Sequence, residues 1–181
     1  MNDQLEFLGF VVRRLDAARV PYMLTGSVAM SLYTQPRMTR DIDLVVECAS
    51  TEAADWVRLF GAECYVSAEA VADAIARGGM FNVIHNEGVA KADFIVRRDD
   101  EYRQVEFARR QRKRIAELEV SVVAREDLVL SKLIWWKEGE SPQQRADLVL
   151  LLESTAGMDL AYLEDWAARL GVVAQFRELL G

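Results

Sequence analysis

Histidine occurs once and cysteine twice in this chain of 181 residues. Cys48 and Cys64 show no metal-ligand spacing, and with His85 as the lone imidazole they argue against a structural zinc site. Two small buried thiols are expected instead. A metalloprotease HxxxH motif needs a second histidine. A Ser-His-Asp triad would have to run through His85, which adjoins Asn86, Glu87 and Gly88 and reads as a surface residue in a turn. No apolar run approaches the roughly 20 residues that span a bilayer. The start, Met1-Asn2-Asp3-Gln4, lacks the basic and apolar stretches of a signal peptide, so a cytoplasmic location is expected. Basic residues are outnumbered 22 to 29, and the net charge of −7 argues against coating nucleic acid by bulk electrostatics. There is no repeat and no low-complexity linker.

What is present suits a packed globule: 51% of residues are hydrophobic and 28% charged. The length allows one sizeable domain, or a compact core with a small helical appendage. Charge is uneven. Residues 97–114 hold eight basic and four acidic side chains. Such runs are usually solvated helix faces, and a phosphate-contacting stripe is the sharper alternative.

Apolar residues at helical spacing (Leu5, Leu8, Val12, Leu15) predict a first helix that Pro21 ends. Residues 22–25 read as a strand running into Gly26-Ser27, and 28–33 as a helix. Residues 41–47 form a β-branched buried strand, and 52–60 and 68–77 read as helices. Strands over 80–85 and 91–97 make a hairpin around Asn86-Glu87-Gly88. A helix is expected through the basic segment, then a strand at 118–124. The remainder reads as helical, with Ser141-Pro142-Gln143-Gln144 suggesting a capping box. Helices follow over 159–170, stopped by Gly171, and over 172–180. The organisation is therefore α+β over 1–124, followed by a helical part over 125–181 packed on that core.

Asp41 and Asp43 are separated by one residue on a strand, so both carboxylates leave the same face, opposite Ile42 and Leu44. Adjacent carboxylates repel unless a cation or donor sits between them. Mg²⁺ suits such a pair, especially when phosphates complete its shell. Gly26-Ser27 lies where a strand becomes a helix, a place where free backbone N–H groups favour a phosphate; alone it reads as a glycine turn with a serine cap. Asp93 stands in an otherwise apolar strand, sharing its face with Ile95, and needs a partner: a metal beside Asp41 and Asp43, or water if the strand is an edge. Lys132 emerges from a helical flank of Leu128, Val129, Trp135 and Trp136, and either snorkels to water or meets an anion. Asp147 either pairs with it or decorates its own helix. Arg37 and Arg40 flank the acids. Trp135, Trp136 and Trp166 read as core or interface, and oligomeric state is not readable.

Gly26-Ser27, then Asp41-Ile42-Asp43, then Asp93 in a later strand resembles the DNA polymerase β nucleotidyltransferase superfamily, a mixed sheet with flanking helices. Residues 25–29 and 40–44 are similar to its small bacterial branches. Glu126-Asp127-Leu128, Lys132 and Arg145-Ala146-Asp147-Leu148 resemble the abortive-infection (AbiEii-type) group. The resemblance implies nucleotidyl transfer, with AMP from ATP as the default, to a hydroxyl of an RNA, a protein or a small molecule. A toxin–antitoxin or defence setting goes with it. Asp41, Asp43 and Asp93 would be catalytic and hold two Mg²⁺ ions; Gly26, Ser27, Arg40 and Lys132 would bind the nucleotide, with Asp147 a further candidate.

Other classes fit less well. A haloacid-dehalogenase phosphatase carries its Asp-x-Asp after an apolar strand, whereas Arg37-Met38-Thr39-Arg40 precedes this one. An Asp-x-Asp glycosyltransferase needs a nucleotide-binding half before the motif, and a P-loop is absent. The rival from another class is a non-catalytic nucleotide- or partner-binding module that keeps the same fold.

Overall fold

The computed structural model describes residues 2–35, 41–48, 51–87 and 90–180, so Arg37 and Arg40 lie outside the described residues. The chain opens with helix α1 (Asn2–Ala17), whose Leu8, Val11, Val12 and Leu15 are fully buried. Strand β1 (Tyr22–Thr25) follows, then the short helix α2 (Gly26–Met30) and strand β2 (Asp41–Val46). Helix α3 (Ala53–Phe60), strand β3 (Cys64–Tyr65) and helix α4 (Ala68–Arg77) lead to β4 (Met80–His85) and β5 (Lys91–Val96). After α5 (Glu101–Ala108) come β6 (Gln111–Ile115) and β7 (Leu118–Val122). Four helices finish the described chain: α6 (Arg125–Gly139), α7 (Pro142–Leu152), α8 (Leu160–Arg169) and α9 (Val173–Leu180).

One seven-stranded sheet runs β3-β4-β5-β2-β1-β7-β6. β2 pairs with β5 and β1 with β7 in parallel; the other neighbours are antiparallel. The expected hairpin of β4 and β5 is present, and β5 is a central strand, which removes the reading of Asp93 on an edge. One face of the sheet is apolar because period-2 alternation puts Ile42, Leu44, Phe81 and Phe94 there. Helix α3 covers it, with Trp56 packed edge-on against Phe81 at 4.9 Å and Phe94 at 5.2 Å. Both cysteines are buried and free. Among the described residues no helix is long and apolar enough to cross a membrane.

Several local expectations are corrected. The basic segment is not one helix: α5 takes its first half and edge strand β6 its second. Three of the eight cations there pair with internal acids, Arg97 with Glu47, Arg103 with Glu106 and Arg109 with Asp127, so the solvated picture fits Arg98 and the β6 residues Arg112 and Arg114. The helix expected over 28–33 is the five-residue α2, too short for an appreciable dipole. His85 is half-buried at the end of β4, its ring edge-on to Phe7 and Phe10. The capping box at Ser141 is not formed: Ser141 makes no side-chain cap bond, and Gln144 accepts from Lys132 instead. Trp166 is buried, whereas Trp135 and Trp136 are only partly so.

Candidate active site

The face of the sheet opposite α3 carries two polar rows set by strand register. Thr25 on β1 pairs with Asp43 on β2, Asp43 with Asp93 on β5, and Asp93 with Asn82 on β4. One step along, Asp41 pairs with Lys91, and Lys91 with Ile84. Register partners project to the same side, so three carboxylates share one face of two adjacent strands some 4.8 Å apart.

Asp93 is 8% exposed and Thr25 1% exposed, whereas Asp41 stands at the rim. Burial, then the charges of Asp93 and Asp41, push the Asp43 carboxyl up to about 6, against the opposing fields of Lys132 and Lys91. That combination, burial beside two like charges, marks a carboxylate whose ionised form is held at a cost. Asn82 donates from Nδ2 to Asp93 Oδ1 and fixes that side chain. Lys91 reaches from two residues before Asp93: its ammonium lies 3.0 Å from Asp93 Oδ2 and 3.6 Å from Asp41 Oδ1. These contacts, the bond to Asp93 above all, raise the Lys91 pKa.

Gly26 explains why β1 ends as it does. Its φ is +64°, and a Cβ on it would overlap the Asp43 carboxylate. The glycine therefore lets the turn pass directly over Asp43, as a phosphate-cradling turn must. Ser27 is half-buried beside it. The expected helix-dipole contribution is lost with the shortness of α2, but the close backbone approach is retained.

Lys132 does not snorkel. It is 1% exposed on α6, and its Nζ donates to Asp147 Oδ2 at 2.7 Å and Gln144 Oε1 at 3.1 Å. Asp147 Oδ1 accepts from Gln143 Nε2 at 2.8 Å. Its charge nonetheless reaches Asp43, whose carboxyl it holds lower than burial alone would. Lys91 and Asn82 were not singled out from the sequence. The signal was there for Lys91, because an alternating strand puts residue i−2 on the face of Asp93. Asn82 becomes visible only once the hairpin register is known.

As the side chains stand, no three acidic, histidine or cysteine residues among the described residues converge at metal-holding spacing. The donor chemistry still fits a hard divalent ion: the ligands are carboxylate oxygens, burial and two neighbouring acids outweigh Lys132 and Lys91 at Asp43, and an ammonium already stands between two of the acids.

No protein-family model and no curated protein sequence matches the chain. Solved structures do. The solution structure of the antibiotic-resistance factor ANT(2'')-Ia is similar with a TM-score of 0.63 at 16% identity, over 98% of this chain and 92% of that one. The same factor in complex with adenylyl-2''-tobramycin gives 0.58 at 16% identity, over 99% of both chains. The lincosamide antibiotic adenylyltransferase LnuA, with lincomycin bound, gives 0.54 at 13% identity over 80% of this chain and 93% of that one. An antigenic nucleotidyltransferase-like protein from Paracoccidioides brasiliensis gives 0.55 at 15% identity over 96% and 93%. These structures lend no support to the abortive-infection branch in particular. The mixed seven-stranded sheet with its flanking helices is the nucleotidyltransferase fold.

Proposed function

We propose that this protein is a Mg²⁺-dependent nucleotidyltransferase that moves an NMP, with AMP from ATP as the default, to a hydroxyl of a small acceptor. The observation that carries the reading is the row of Asp41, Asp43 and Asp93 across two central strands, with Gly26 held open over Asp43. Such a row of like charges is costly to keep unless a cation joins it. Asp41, Asp43 and Asp93 are the residues that would hold the metal. When bound, divalent ions neutralise phosphate charge and steady the attacking and leaving oxygens of an in-line displacement.

The chain's own groups do the positioning. The Gly26-Ser27 turn receives the terminal phosphates from the β1 side. In-line attack requires the acceptor hydroxyl on the opposite side of the α-phosphate, over Asp93 and Asn82. Asn82 keeps Asp93 in one rotamer there. Beyond it the sheet face is uncovered: Ile84 is 38% exposed, Met80 56%, and Tyr65, the register partner of Ile84, 62%. That floor is apolar and aromatic, which suits a compact ring-bearing acceptor better than the anionic backbone of RNA. Lincomycin and adenylyl-2''-tobramycin, bound by similar folds, are both compact and ring-bearing, tobramycin being much the more polar of the two acceptors.

The test is transfer of α-labelled ATP, with Mg²⁺, to tobramycin, lincomycin, total RNA and a protein extract, beside Asp43→Asn. Label on a small molecule, lost in the variant, is the expected result. Label on RNA or protein overturns the acceptor class and returns the toxin–antitoxin setting to the fore. Asp43-dependent ATP binding with no transfer to any pool would leave the non-catalytic binding module.

A further inference from the structure

Among the described residues, one cation is built into the strand that carries Asp93. Lys91 precedes Asp93 by two residues on β5, leaves the same face, and has Asp41 as its register partner. Its ammonium lies within 3.0 Å of one acid and 3.6 Å of the other, with the side chain 34% exposed at the rim. Lys132, the other cation among the described residues whose field reaches Asp43, is buried and committed to Asp147 and Gln144. Asp93 has one oxygen on Asn82 and the other on Lys91. A divalent ion seeking Asp93 and Asp41 must therefore compete with Lys91 for the same oxygens.

We propose that Lys91 is the resident counter-cation of the acid row, a positioning residue that holds Asp41 and Asp93 together and must leave them before a divalent ion can bind. The inference rests on the metal-site reading given above. Its consequence is ordered loading. A metal arriving alone must displace an ammonium and leave it unpaired, whereas a metal arriving with a triphosphate brings an anion for that ammonium to meet. Lys91 is suited to such an exchange because its charge is compact and its four-carbon stem flexible. The site then stays empty of metal until nucleotide is present.

Mn²⁺ binding without nucleotide, read from the free-ion electron paramagnetic resonance signal, tests this independently of activity. Lys91→Ala is expected to bind Mn²⁺ about tenfold more tightly than the wild type, the scale on which one adjacent charge shifts a carboxylate's preference for its cation. Lys91→Arg keeps a competing charge and stays near the wild type. Arg98→Ala removes a charge just beyond the far end of β5 and changes affinity by no more than about twofold. Circular dichroism checks that each variant is folded. Adding Asp43→Asn to Lys91→Ala removes the tight site. Equal, Asp43-dependent affinity in wild type and Lys91→Ala, or tightening in Lys91→Arg as large as in Lys91→Ala, would overturn the role of Lys91 and leave the metal site intact. No Asp43-dependent Mn²⁺ binding in any of these proteins would overturn both.

Discussion

Two clusters of charge in this protein are built on opposite plans. Beneath α5, α6 and α8, Glu106 and Asp127 are almost wholly buried, yet every carboxylate oxygen has a partner. Glu106 takes Ser131 on one oxygen and Arg103 on the other; Asp127 takes the Tyr162 hydroxyl at 2.6 Å and Arg109 Nε at 2.9 Å. On the open sheet face, Asp41 and Asp93 share one lysine, Asp93 also takes one amide, and Asp43 stands beside them. The first arrangement balances its charges and ties α5 to the C-terminal helices. The second sets three acids against fewer cations among the described residues, and such an imbalance in a folded protein points to something that arrives from outside. Satisfaction, more than burial, separates structural from functional acids here.

That contrast can be broken by substitution. The largest expected effect is on activity: Asp43→Asn lowers the transfer rate by about a thousandfold or more, the scale of losing a principal electrostatic support of the reacting phosphate, as a labelled-ATP assay will show. Asp127→Ala, by contrast, is a stability lesion. Leaving Arg109 and Tyr162 without their buried acceptor is expected to cost about 3–5 kcal/mol in urea unfolding, whereas Asp43→Asn, assayed without metal at neutral pH, should gain about 1 kcal/mol by relieving repulsion. A loss of stability in Asp43→Asn matching that of Asp127→Ala would erase the distinction.

Smaller effects sharpen it. Gly26→Ala puts a methyl where the Asp43 carboxylate lies and demands a left-handed backbone of a residue that resists it; ATP affinity, measured by titration calorimetry, is expected to fall by about 10–100-fold. Asn82→Ala removes a neutral donor from Asp93 and should lower kcat by about tenfold with little change in the KM for ATP. Tyr65→Ala, farthest out on the bare floor, should raise the acceptor KM about threefold and leave kcat unchanged.

Much of the fold was legible in the sequence because its signals are local. Alternation in 41–46 and 80–85, the helical spacing of Leu5, Leu8, Val12 and Leu15, and the turn residues between β4 and β5 all report short-range geometry. The errors fell where local cues conflicted with tertiary ones. Residues 111–115 carry charges that suit a solvated helix, but pairing with β7 makes them a strand. Gln144 stands at a capping position, yet a buried ammonium is the better use of its carbonyl. His85 sits beside turn residues, and two phenylalanines from α1 half-bury it.

By itself the sequence determined which residues share a face: Asp41 with Asp43, and Lys91 with Asp93, because a strand repeats every two residues whatever surrounds it. It also required glycine at 26, though not the reason for it. The tertiary structure decided which strands lie side by side. Only the parallel pairing of β2 with β5 sets Asp43 against Asp93 and Asp41 against Lys91, and only the packing of α6 on α7 turns Lys132 from a rim cation into a buried partner of Asp147. Periodicity is a property of the chain; register and burial belong to contacts between segments distant along it, and the charge balance of a site is settled by those contacts.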